Sequence, residues 1–176
     1  MARAPRRPTL NADDDIARIT ETRAAGALEE SLRLALELSA RRPDDVLVAY
    51  QTAWAHDVLG REAEAVPYYL RALAAPGLRP EQRQGALLGL GSTYRTIGRY
   101  AEARATLQQG VDEFPGYAPL KVFLAMALYN DGEPKMAVQT LLTVLLDRTG
   151  DEEITAYREA IALYAEDLDR VWLDGD

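Results

Sequence analysis

His56 is the only histidine of this chain, and Asp57 follows it directly. An imidazole next to a carboxylate has the makings of a general base, since the ring titrates near neutral pH. Glu29–Glu30 and Glu152–Glu153 are carboxylate pairs of the kind that can share acid and base work when their environments separate their pKa values. Gly85, Gly89 and Gly91 form a loosely glycine-rich stretch, the raw material of a phosphate loop. Each has a plainer reading. The carboxylates lie in charged helical faces or at helix starts, where solvation is expected. The three glycines fall inside a helical pattern and lack the preceding strand of a dinucleotide site. No His/Cys metal spacing and no nucleophile elbow is present, so the reading is of a chain that is not an enzyme and needs no cofactor or metal.

Composition narrows the class of molecule. The 176 residues suffice for one domain with its own core. Aromatics are sparse at 7%, while hydrophobic residues reach 48%, so the core must come largely from Ala, Leu and Val. Ala and Leu favour helices, and no run of alternating β-branched residues appears; the expected fold is all-α. A formal charge of −8 argues against nucleic acid, which needs a concentrated basic surface. The longest apolar runs fall well short of the roughly 20 residues that span a bilayer. Cysteine is absent, which removes disulfides and thiolate metal sites. MARAPRRPTL is basic but has no apolar run behind it, so it reads as a disordered tail over residues 1–11 rather than a secretory signal. Cytoplasm is the default location.

The strongest signal is a repeat. Gly26, Gly60, Gly98 and Gly132 stand 34, 38 and 34 residues apart, each between two helical patterns, where glycine turns the chain without a Cβ clash. Five residues after the last three come Ala65, Ala103 and Ala137, and nine after come Tyr69, Leu107 and Leu141. Seven before them stand Ala53, Gly91 and Ala125; four before stand His56, Tyr94 and Leu128. Small residues at these offsets let two helices approach closely, and the larger ones fill the space between successive pairs. In this register His56 is a packing residue.

Residues 87–115 carry the pattern most fully, through Leu87, Leu90-Gly91, Tyr94, Gly98, Tyr100, Ala103, Leu107 and Pro115. They resemble the tetratricopeptide repeat, with leucine at the usual first tryptophan and Gly110 where alanine is common. GALLGLGSTYRTIG and LKVFLAMALYNDG are similar to the group-five tetratricopeptide family, a likeness covering about residues 45–170. It implies a right-handed superhelix, a solenoid of about four helix pairs that binds other proteins. The expected layout is a single domain over 12–172, with repeats at about 12–44, 45–79, 80–117 and 118–150, a capping helix over 151–172 and a tail over 173–176. Helices are expected at Asp45–Leu59, Glu62–Ala74, Pro80–Ile97, Ala101–Glu113, Ala118–Asn130 and Pro134–Asp147. The four extra residues between Gly60 and Gly98 belong in the loop Ala75–Pro80. In the first repeat Ser31 takes the small position, and only Ile16 and Ile19 give its first helix a core, as suits a terminal repeat. Asn11 and the run Asp13–Asp15 suit its start. In the capping helix, Ile154, Tyr157, Ile161, Tyr164 and Leu168 form one apolar stripe, expected to face the last repeat and to leave Trp172 near the tail.

In such a superhelix the first helices of successive pairs line a concave surface. The inward places are Tyr50, Trp54 and Asp57, then Leu88, Ser92 and Arg95, then Val122, Met126 and Tyr129. This is an apolar strip with one acidic and one basic edge, in residue types enriched at interface centres. Chaperone-binding relatives hold a C-terminal carboxylate there with lysines and asparagines; Tyr50, Trp54, Leu88, Ser92, Val122 and Met126 replace that clamp. The expected partner is a peptide or partner helix with apolar anchors, and a self-assembling homodimer is the alternative.

Overall fold

The computed structural model describes residues 12–171; the expected tails, Asn11 and Trp172 lie outside the described residues. Ten helices account for the secondary structure of that span: α1 Ala12–Ala24, α2 Leu28–Arg41, α3 Val46–Asp57, α4 Glu62–Leu73, α5 Pro80–Thr96, α6 Tyr100–Glu113, α7 Ala118–Asn130, α8 Pro134–Arg148, α9 Glu152–Thr155 and α10 Arg158–Glu166. The expected helices of the last three repeats agree with these within two residues.

The first four pairs turn in the same way. Gly60 and Gly98 have φ of +68° and +77°, a left-handed conformation that only glycine adopts freely. The amide one residue past each glycine donates back to the carbonyl four before it, Arg61 N to His56 O at 3.1 Å and Arg99 N to Tyr94 O at 2.8 Å. Ala27 N to Thr22 O and Glu133 N to Leu128 O repeat the bond at 3.1 and 2.9 Å. This closes the first helix of each pair on backbone groups alone. The second helices α2, α4, α6 and α8 accordingly begin without a side-chain cap. The third helix, which follows a different loop, does have one: Asp45 accepts from Leu47 N at 3.0 Å and Val48 N at 3.1 Å.

The chain divides into two compact units, one ending at Leu78 and one beginning at Arg79, so the boundary falls in the Ala75–Pro80 loop. In the first unit α1 packs on α2 and α3, α2 on α3, and α3 on α4. Ile19, Leu32, Ala35, Leu38, Val48 and Ala55 form its core, with Ile16 and Leu34 packed against them. Ser31 is fully buried, and its hydroxyl donates to Ile19 O at 2.9 Å. A polar residue is thus tolerated at a small position because its one donor is satisfied.

In the second unit α5 packs on α6 and α7, α6 on α7, and α7 on α8. A Cβ placed on Gly91 would stand 2.4 Å from Leu107 Cγ, and one on Gly110 would stand 2.6 Å from Leu120 Cδ2. Leu107 and Leu120 are both fully buried. The glycine at 110, where alanine is common, is therefore a steric requirement of this chain. Arg83 ties α5 to α6 by a two-armed bond to Glu113, at 2.6 and 2.8 Å; this bond holds the Glu113 carboxyl at about 2.

Two expectations fail in this unit. Leu141, assigned to the space between helices, is 43% exposed. The closing helix is not continuous, since a turn at Ala156–Tyr157 separates α9 from α10, and of its expected stripe Ile154, Ile161 and Leu168 are half-buried while the tyrosines are exposed. The last helix runs antiparallel to α8: Arg158 Nη2 donates to Leu146 O at 2.6 Å, and Gln139 Nε2 donates to Glu166 O at 2.7 Å. Lys135 bridges Asp167 and Asp169 at 2.6 and 2.8 Å. On α10 the half-buried residues are Ile161, Ala162 and Ala165, which share one side of the helix. Tyr157 and Tyr164 are left 69% and 40% exposed.

Candidate functional site

The reacting groups weighed in the sequence do not assemble into a catalytic centre. His56 is buried, its ring stacked on Tyr68 at 5.3 Å between centroids. Neither ring nitrogen has a hydrogen-bond partner, and burial pushes its pKa below the ordinary histidine value. The Asp57 carboxylate accepts instead from the Tyr69 hydroxyl at 2.9 Å, so the two neighbours in sequence are not a dyad. Glu29 pairs with Arg61 at 2.7 Å and Glu30 with Arg33 at 2.6 Å on exposed surface. Glu152 and Glu153 are exposed in the first turn of α9. Gly85, Gly89 and Gly91 lie inside α5. Among the described residues no cluster of three His, Cys, Asp or Glu could hold a metal ion, and no helix is long and apolar enough to cross a membrane.

In the first unit, the surface of α1 and α3 is built on stacked rings. Trp54 is 39% exposed, and the Arg23 guanidinium lies 3.8 Å over its ring. Arg23 Nη2 donates to Gln51 Oε1 at 2.8 Å, while Nη1 is buried without a partner; burial pushes the Arg23 pKa down. A cation over indole with its head partly desolvated is strongly localised. Beneath Trp54 lies Tyr50, its ring 5.8 Å from the indole and 6.5 Å from the Tyr69 ring. Tyr50 is itself buried. Tyr69 is raised in pKa by burial and by its bond to Asp57. The unit thus presents a partly exposed indole, supported by a tyrosine pair and covered by an arginine.

In the second unit, α5 and α7 are neighbours and carry the other six expected positions. Leu88, Ser92, Val122 and Met126 are half-buried, and Tyr129 is 67% exposed. Arg95 Nη1 donates to Asn130 Oδ1 at 3.2 Å, joining the two helices near their C-terminal ends. This surface mixes apolar side chains with one anchored cation.

Arg23, Gln51 and Asn130 were missed from the sequence, and for Arg23 the signal was available. It stands three residues before Gly26, the register that Asp57, Arg95 and Tyr129 occupy before their own glycines. Extending the count to the first, weaker repeat would have found it. Gln51 and Asn130 lie off that register and act as acceptors for the two arginines, a relation that needs coordinates.

Comparisons with known proteins agree with this architecture. A solved crystal structure of MamA superposes with a TM-score of 0.67 at 13% identity, over 93% of this chain and 79% of that one. The ArsTM double mutant of MamA RS-1 gives 0.64 at 22% identity, over 94% and 97%. At these identities the likeness is one of fold. An uncharacterized protein of Aquifex aeolicus (strain VF5) is 36% identical over 103 residues, 57% of this chain. The chain spans only 13% of that relative's length. The model of the tetratrico peptide repeat family matches residues 46–168, most of the helical pairs described above. This chain belongs to the tetratricopeptide repeat family, and its fold is the all-α helical-pair solenoid of that family.

Proposed function

We propose that this protein is a non-catalytic interaction module that holds a peptide or helix of a partner protein on the first-helix faces of its repeats. The observation that carries this reading is the Arg23–Trp54 stack, a large aromatic left 39% exposed under a guanidinium 3.8 Å away. Trp and Arg are the residue types that most often concentrate binding energy, and they do so where neighbours keep them rigid. Tyr50, Gln51 and the Tyr69–Asp57 bond provide that rigidity. On the second unit Leu88, Ser92, Arg95, Val122, Met126 and Tyr129 supply apolar contact with one charged anchor. The ligand each of these faces suits has apolar side chains and a carbonyl or carboxylate to meet its arginine.

The test is a pull-down from native extract with Trp54→Ala and Arg95→Ala, beside melting curves of the same proteins. Partners lost with melting retained are expected, each truncation weakening capture by about 2 kcal/mol. If both variants melt early, the side chains belong to the core and the proposal fails. If both retain every partner, binding lies elsewhere. Light scattering over a concentration series identifies the case in which the partner is a second copy of this chain.

A further inference from the structure

An exposed apolar surface lies at the other end of the chain, apart from those faces. Ile154, Tyr157, Ala160, Ile161 and Tyr164 line a shallow apolar depression along α9 and α10 together with Glu153 and Asp151, whose carboxylate caps α9 by accepting from Glu153 N and Ile154 N. Tyr157 and Tyr164 are 69% and 40% exposed, two large rings that line the same depression. An exposed apolar strip of this kind rimmed by charge is a mark of an interaction site. The charge is of one sign. Residues 151–166 hold five carboxylates against one arginine, and that arginine, Arg158, is engaged by the Leu146 carbonyl at 2.6 Å. Glu152, Glu153 and Glu159 are exposed at the surface.

We propose that this face docks a basic amphipathic helix of a partner protein, its apolar stripe laid between the two tyrosines and its lysines or arginines meeting the acidic rim. Complementary charge selects this occupant. A second copy of the chain is disfavoured, because the same face turned on itself sets Asp151 and Glu153 against their counterparts, within a chain of net charge −8. The chain's own basic stretch, MARAPRRPTL, has the charge but not the apolar spacing that a helix-in-groove contact requires.

The experiment uses fluorescence anisotropy on the full chain with three labelled synthetic helices. One carries a leucine stripe flanked by lysines, one the same stripe flanked by glutamates, and one the lysines with the leucines changed to serine. Only the first is expected to bind, more weakly as salt is raised. A Tyr157→Ala variant should lose at least about tenfold in affinity, with its melting temperature unchanged because that ring is 69% exposed. Glu153→Lys should weaken the lysine helix and favour the glutamate helix. Trp54→Ala, which tests the first-helix faces, should leave this binding intact; if it abolishes binding, the peptide sits on those faces and this proposal is overturned. Equal affinity for both leucine helices, binding that ignores Tyr157, no binding at all, or light scattering showing dimers that Tyr157→Ala dissolves would each overturn it as well.

Discussion

The two kinds of small position in this chain have different costs. A methyl on Gly91 would meet Leu107 Cγ at 2.4 Å, and Leu107 is fully buried and unable to swing aside. Gly91→Ala is therefore expected to destabilise by about 1–3 kcal/mol through overpacking, and Gly91→Leu by more; an unchanged melting temperature would show that α5 and α6 do not meet there. At Gly60 the space is open, so the obstacle is the left-handed backbone alone. Gly60→Ala should cost about 1–2 kcal/mol, and Gly60→Asn less, as read from urea melts. His56 supplies a third expectation. Its pKa is lowered by burial, so the native ring stays neutral while the unfolded chain takes up a proton as pH falls through about 6.5. Stability is then fully present above that value and lost on acidification. His56→Phe should keep the fold, stack on Tyr68, and remove this part of the acid sensitivity; melts above and below the histidine range would reveal it.

Helices α6 and α8 occupy equivalent places in successive pairs, yet their central leucines are in different environments. Leu107 is fully buried and Leu141 is 43% exposed. Leu107→Ala should cost about 2–5 kcal/mol, whereas Leu141→Ala should cost about 1 kcal/mol or less, a contrast that thermal denaturation resolves. Sequence offsets predict the place but not the exposure. The helices themselves were legible nearly to the residue, because glycine turns and prolines at helix starts mark their ends by local chemistry. The closing segment was not. Its aromatic stripe is the more hydrophobic one, and hydrophobicity alone turns it inward. The tyrosines of that stripe stay exposed, while Ile161, Ala162 and Ala165 are half-buried and Arg158 ties the helix to the Leu146 carbonyl of α8. Which of two amphipathic faces a terminal helix buries depends on fit to its neighbour, and no periodicity contains that.

Taken entire, the chain is acidic, with 28 Asp and Glu against 20 Lys and Arg. It should not retard duplex DNA at about 0.15 M salt, since binding there depends on neutralising phosphates; a mobility shift would locate an unrecognised basic surface, with MARAPRRPTL the first place to look. The family was legible from four glycines and their offsets, which made three registers coincide. The proposed interaction surface was legible only as positions. That Trp54 is capped by Arg23, and that Tyr50 is its support and not its neighbour at the surface, follows from contacts between α1, α3 and α4 that no single helix encodes.

The glycines have a consequence for how such a chain can change over time. A turn glycine such as Gly60 has open space around it, so a substitution there carries the same penalty whatever the rest of the sequence has become. Gly91 and Leu107, like Gly110 and Leu120, are bound to each other's size. In these pairs neither residue can drift alone: a larger residue at 91 becomes tolerable only after 107 has shrunk, and a smaller one at 107 leaves a hole that invites growth at 91. The pairs should therefore show strong epistasis and the turns almost none. Divergence among repeats of this chain's descendants would be recorded as correlated changes across α5–α6 and α6–α7, with the turns as fixed marks between them.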